Sequence, residues 1–245
     1  MNTKQLHQRL VKEIEAYFDK NGFEKAVIGL SGGIDSSLSA KLVADAIGKE
    51  NAHGIIMPVK GLSSEENAKD TVKLCELIGI SHSLIYINEF LKPFEKFPWQ
   101  NKIAKMNTAS RIRAVILYNY ANSHNALVIG TSNKTEMMLG YFTKYGDGAV
   151  DIEVIGDLFK TDEYALAEFL GLPEKIIKKV PTAELYHGQT DEDELGAPYS
   201  EIDKILRKIA KKEKVDSKGA LAQKILKRMK ANEHKGKLPH LVRVF

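Results

Sequence analysis

Only one cysteine, Cys75, occurs in the 245 residues, so neither an intramolecular disulfide framework nor a cysteine-based zinc cluster can be built. No apolar run is long enough to span a bilayer. The opening MNTKQLHQRLVKEIEAYF is an amphipathic helical pattern with acidic residues inside it, unlike a signal peptide. No internal repeat or low-complexity segment is visible. What is present is ordinary for a globular chain: 43% hydrophobic and 28% charged residues, with a mean hydropathy of −0.26. The length suits one large domain, or one domain with an appendage, and is enough to bury a real core. The expectation is a cytoplasmic α/β protein with no membrane partner.

The net charge of +4 is unevenly distributed. Residues 201–245 hold 14 Lys and Arg against 5 Asp and Glu, which leaves 22 against 27 before them. The lysines of that tail lie on helical patterns around an apolar stripe of Ile205, Leu206 and Ile209. This reads as a solvated helix face rather than a nucleic-acid footprint.

Leu6, Leu10, Ile14 and Phe18 are spaced by four and predict a helix over 3–20, ended by Asn21-Gly22. Buried strands are expected at 26–31, 54–59, 82–88 and 126–132, with a further one around 151–156. Between them the pattern predicts helices from Asp35, from a Ser63–Glu66 capping box toward Leu77, and over 108–120. Continuously apolar strands alternating with helices imply a doubly wound, mostly parallel sheet with flanking helices. Residues 144–151 and the acidic 187–198 read as mobile loops of the kind that hold ligands beside such a sheet. The chain divides into a nucleotide-binding core, 1–182, and a loop with a basic helical tail, 183–245.

The sharpest local signal is Leu30-Ser31-Gly32-Gly33-Ile34-Asp35-Ser36-Ser37, set between a strand and a helix. Its glycines permit a tight turn whose N–H groups can approach an anion at a helix N-terminus. The lysine of GxxxxGK[ST] is missing, and the string is not GxGxxG either. A carboxylate beside phosphate calls for a cation between them, so Asp35 suggests bound Mg²⁺; the duller alternative is that Asp35 only caps the helix. SGGIDS resembles the pyrophosphate loop of the ATP pyrophosphatase superfamily. Members of that superfamily cleave ATP between the α- and β-phosphates and adenylate an oxygen of their substrate.

A second cluster selects among them. Gly130-Thr131, Glu136 and the run Phe142-Thr143-Lys144-Tyr145-Gly146-Asp147-Gly148 resemble the GT-x4-E … FTKYGDG signature of the NAD synthetase family. Asn107–Arg113, Asp191–Gly196 with Tyr199, and Glu233-His234-Lys235 agree with it in the same order along nearly the whole chain. The chain departs from the pattern at Ala149 and Val150, where smaller residues are usual.

The resemblance implies that Gly29, Leu30, Ser31, Gly32, Gly33, Ile34, Asp35, Ser36, Thr131, Lys160 and Thr182 hold ATP. It implies Asp35 and Glu136 as Mg²⁺ ligands and, with Lys160, as the catalytic set. Arg111, Lys144, Asp151, His234 and Lys235 match positions that bind the dinucleotide, deamido-NAD. Each has a plainer reading: Glu136 as a carboxylate favoured by a helix dipole, Lys160 as the residue before a capped helix, His234 as solvated tail. Asp147 reads as a turn former, and Cys75 as core.

The implied reaction joins ammonia to the nicotinate carboxylate of deamido-NAD, with ATP converted to AMP and pyrophosphate. Asp151 is a candidate for taking the proton from ammonium. No segment here matches a glutaminase with its cysteine nucleophile, so free ammonia or a separate subunit is the expected nitrogen source. A homodimer with the substrate site at the interface is implied by the resemblance alone. The rivals are a tRNA-modifying adenylating enzyme and a non-catalytic ATP sensor.

Overall fold

The computed structural model describes residues 1–99, 101–182, 188, 190–216 and 219–244. The chain opens with α1 (Thr3–Asn21), capped at Asn2 by a reciprocal pair with Gln5 and closed by a left-handed Gly22. It continues through β1 (Lys25–Leu30), α2 (Ile34–Ile47), β2 (Ala52–Ile56), α3 (Glu65–Ile78) and β3 (Ser81–Leu84). A short α4 (Asn88–Leu91) leads to the long α5 (Lys102–His124), then β4 (Ala126–Gly130), α6 (Lys134–Leu139) and β5 (Ile152–Glu153). After α7 (Lys160–Phe169) and α8 (Glu174–Ile177), the chain finishes with α9 (Asp191–Leu195), α10 (Tyr199–Ala210) and α11 (Ala220–Asn232).

Among the described residues the sheet runs β3–β2–β1–β4–β5, and every pair is parallel. The expected doubly wound sheet is present. The chain winds outward from β1 to β3, then returns to the other side of β1 as β4. The strand order therefore switches between β1 and β4, where such sheets open a crevice at their carboxyl ends.

One apolar cluster, including Ile28, Leu38, Leu42 and Leu166, packs α1, α2 and α7 on one face of the sheet. A second, including Val27, Ile55, Leu117 and Val128, seats α5 on the other. A third joins Leu139 and Phe159 to Leu206 and Ile225, so the tail helices close over α6. The expected stripe thus buries Leu206 there while its lysine-rich flanks face outward. Cys75 is fully buried in the first cluster, as its helical pattern implies.

Several elements differ from the sequence expectation. The second strand stops at Ile56 because Pro58 has no N–H for a ladder. The third stops at Leu84, although Ile85 and Ile87 still donate to the carbonyls of Ile56 and Pro58. The strand expected at 151–156 contracts to two residues, since the Asp151 carboxylate takes the Val128 N–H at 2.7 Å. Helix α3 is capped by Ser64, not Ser63, and its third position is Asn67, so the reciprocal half of the box is absent. Helix α5 is far longer than expected, capped by Asn101 and ended by a left-handed Asn125. The acidic stretch forms a short helix with Asp191 and Leu195 buried; His187 and Gln189 of that stretch lie outside the described residues.

Candidate active site

A cavity of about 550 Å³ lies at the switch point. Gly29, Leu30, Ser31, Gly33, Ile34, Asp35 and Ser36 line it from the end of β1, and Thr131 and Glu136 from the end of β4. Thr182 borders it as well. Gly32 has φ +75°, and a Cβ there would sit 2.3 Å from Asn67 Oδ1, so the turn admits glycine alone. Asn67 Nδ2 donates to the Ser31 carbonyl at 2.7 Å and ties α3 to this loop. The hydroxyls of Ser31 and Ser36 lie 3.1 Å apart, and Ser37 donates back to the Gly33 carbonyl.

Asp35 is held from two sides. Lys160 Nζ is 2.5 Å from Oδ2, and Asn133 Nδ2 donates to Oδ1 at 2.8 Å. Burial by itself would raise the Asp35 carboxyl; the Lys160 charge and the hydrogen bonds outweigh it and hold the group below its ordinary range. Glu136 lies opposite, its Oε2 accepting from Asn133 N at 3.2 Å. Burial, then the nearby Asp35 charge, raises Glu136 well above the usual carboxylate range. Two carboxylates facing one cavity repel each other, and a hard divalent cation relieves that repulsion. Among the described residues no three His, Cys, Asp or Glu side chains converge as a metal centre. The pair therefore fits an ion that shares most of its coordination with phosphate oxygens and water, as Mg²⁺ does.

Lys160 does not line the cavity; it is fully buried behind Asp35, 3.6 Å from Glu163 and 5.6 Å above the Tyr199 ring. Burial would lower its ammonium, but Asp35, Glu163 and Glu136 hold it above the ordinary lysine range.

The five residues matched to dinucleotide binding are not brought together in this cavity. Lys235 lines it, donating to the carbonyls of Gly140 and Phe142 at 2.7 and 2.9 Å. Arg111, Lys144 and His234 form a chain outside it: Arg111 donates to the Lys144 carbonyl, and Lys144 Nζ to that of His234. Asp151 does not line the cavity; its carboxylate accepts the Val128 N–H at 2.7 Å and the Tyr118 hydroxyl at 3.2 Å. Asp147 does border the cavity, where it accepts from Ser110 at 2.6 Å and from Thr143 N at 3.1 Å.

Other cavity residues, some of them inside the matched motifs, were given no role from the sequence. Arg113 donates to the Met57 carbonyl at 3.0 Å. It shares a helix face with Ser110, Ala114 and Leu117, all on the cavity wall, and that three-and-four spacing was the available signal. Asp191 and Glu194 approach from α9, both accepting from Tyr141. Arg228, on α11, lies 5.0 Å from the Tyr141 ring and has no sequence signal beyond the basic tail.

On β5, beside the end of β4, burial pushes Glu153 up to about 7 while its Oε2 accepts from Ser132 N at 2.9 Å. A folded value above the unfolded one means stability is full below about 4.5 and falls as pH rises to about 7. Ionisation should cost about 3 kcal/mol across that window. Glu153→Gln keeps an acceptor for Ser132 and is expected to melt like the parent at pH 4.5 but distinctly higher at pH 8. Parallel melting curves at both pH values would remove this role.

A family model described as NAD synthase matches residues 6–239. The NH(3)-dependent NAD(+) synthetase of Archaeoglobus fulgidus is 42% identical over 245 residues, covering 100% of this chain and 98% of its own. That of Fusobacterium nucleatum is 40% identical, with 100% and 97% covered. Among solved structures, an NMN synthetase from Francisella tularensis superposes with a TM-score of 0.90 at 35% identity, covering 100% of both chains. The NH3-dependent NAD synthetase of Campylobacter jejuni follows at 0.80 and 35%, with 99% of this chain and 100% of its own covered. With the glycine loop, the paired carboxylates and matches of this extent, the chain belongs to the NAD synthase family, a family of ligases.

Proposed function

We propose that this chain adenylates the nicotinate carboxylate of deamido-NAD with ATP and passes the acyl group to ammonia, forming NAD, AMP and pyrophosphate. The observation that carries the reading is the glycine loop of β1 opposite Thr131 and Glu136 in one cavity at the switch point. A nicotinate carboxylate is already ionised at neutral pH, so attack on the α-phosphorus needs alignment and charge neutralisation more than a base. The loop amides, with the hydroxyls of Ser31, Ser36 and Thr131, bind the phosphates. Asp35 and Glu136 would hold Mg²⁺, which when bound neutralises charge on the departing pyrophosphate. Lys160 keeps Asp35 ionised and oriented from behind. Ammonia then attacks the acyl carbonyl, and AMP leaves.

The reading includes a homodimer. Arg111, Lys144 and His234 lie outside the chain's own cavity, as residues serving a site completed by a second copy would. Phe97 stacks on Trp99 and meets Phe94 edge to face, all three with large exposed areas, and Ile103, on the cavity lining, is exposed as well. Among the described residues no helix is long and apolar enough to cross a membrane, in keeping with a cytoplasmic, single-domain enzyme of core 1–182 and tail 183–245.

The likeness to the Francisella NMN synthetase favours a second reading with the same chemistry, in which the acceptor is the nicotinate mononucleotide. The test supplies ATP, Mg²⁺ and either deamido-NAD or nicotinate mononucleotide, with ammonium or glutamine. NAD and AMP formed with ammonium and scarcely with glutamine is the expected result. Preferential amidation of the mononucleotide would replace the substrate and leave the mechanism. AMP without either amide would point to another acceptor, and no ATP cleavage would overturn the reading.

A further inference from the structure

Asn133 is fully buried, and each end of its carboxamide serves a different segment. Oδ1 accepts the backbone N–H of Glu136 at 2.9 Å, while the Glu136 carboxylate accepts Asn133 N at 3.2 Å, which starts α6 with a reciprocal cap. Nδ2 donates at 2.8 Å to Asp35 Oδ1, a residue 98 positions away on the other side of the switch point. Serine, threonine or aspartate would cap α6 about as well. None of them both accepts from Glu136 N–H and donates an amide proton to Asp35. Turning the amide over would set Nδ2 against one N–H and Oδ1 against a carboxylate, so its orientation is locked by both partners. A buried carboxamide with either end unpaired is costly, and here neither is.

We propose that Asn133 is the positioning residue that fixes Asp35 and Glu136 relative to each other, and so sets the affinity of the site for a divalent cation. The proposal rests on the reading of Asp35 and Glu136 as cation ligands. Asn133 does not line the cavity; it acts through the two carboxylates, as the outer partners of metal ligands do. Asp35 follows the β1 loop and Glu136 follows β4, so no local chain geometry couples them. The amide supplies that coupling.

The test uses Mn²⁺ as probe, with α,β-methylene-ATP and the full chain, reading bound against free ion by electron paramagnetic resonance. Four proteins are compared: the parent, Asn133→Ser, Asp35→Asn and Glu136→Gln. Serine retains the cap, so Asn133→Ser is expected to melt with the parent yet bind Mn²⁺ about tenfold more weakly or worse. In steady-state assays the apparent KM for ATP should rise at limiting Mg²⁺ while that for deamido-NAD stays put. If Asp35→Asn and Glu136→Gln bind Mn²⁺ as the parent does, the cation reading itself fails. If they lose it and Asn133→Ser does not, the positioning role is overturned. Should the serine variant unfold, Asn133→Thr fills more of the amide's volume and keeps the cap, and the same two outcomes decide.

Discussion

Asp35→Asn is expected to lower turnover at saturating ATP and Mg²⁺ by about a thousandfold, on the order of 4 kcal/mol of transition-state stabilisation. The same change should also destabilise the fold, for a reason unrelated to catalysis. Lys160 is completely buried, and its ammonium sits 2.5 Å from Asp35 but 3.6 Å from Glu163. Removing the nearer carboxylate leaves a buried cation poorly paired, at a cost of about 3 kcal/mol. A Lys160→Met change in the Asp35→Asn background removes that stranded charge. Thermal stability should then recover toward the parent while activity does not. Denaturant melts and initial rates on the parent, both single variants and the double variant measure the two effects separately. Parent-level turnover in Asp35→Asn would remove Asp35 from the metal site.

Asp203→Ala is expected to lower stability by about 4 kcal/mol, for a different reason. Asp203 is buried on α10 and accepts from the Thr135 hydroxyl at 2.5 Å and from Thr161 N and Oγ1 at 2.9 and 2.8 Å. Thr135 in turn accepts from Lys160 N at 3.1 Å and is the residue before Glu136. The tail is thereby tied to the starts of both α6 and α7. Alanine leaves three donors without their acceptor and loosens the helix that carries Glu136. For a chain of this size the loss corresponds to a fall in melting temperature of roughly 10 °C. Activity should fall at temperatures where the variant is still folded, because Glu136 loses its support. A melting temperature within a degree or two of the parent would show that the tail is held by its apolar contacts alone.

The parallel order of the sheet was legible because buried strands and amphipathic helices alternate along the chain with different periods. The glycine loop was legible because a turn of that kind admits few residue types: Gly32 has no room for a Cβ. Element ends were less legible. Pro58 shortens β2, and the Asp151 carboxylate replaces a ladder bond next to β5, which hydropathy does not register. The acidic stretch near 191 looked like a loop because its composition is polar, yet the Tyr141 and Tyr199 hydroxyls make a buried place for Asp191.

The sequence by itself determined the fold class and the nucleotide loop, since these follow from local period, turn chemistry and the ordered motifs. It also brought Asp35 and Glu136 to notice as one pair. Only the tertiary structure decided which charged residues face the cavity. Arg111 and Arg113 are two apart on one helix, and the turn of that helix sends Arg113 to the cavity wall and Arg111 to the Lys144 carbonyl. Lys160, read as a nucleotide contact, stands behind Asp35 because α7 packs against α2, the helix that carries it. Asn133 reaches Asp35, 98 residues away, only because β1 and β4 are neighbours in the sheet. Burial and through-space pairing depend on which elements meet, and the spacing of residues along one chain does not contain that information.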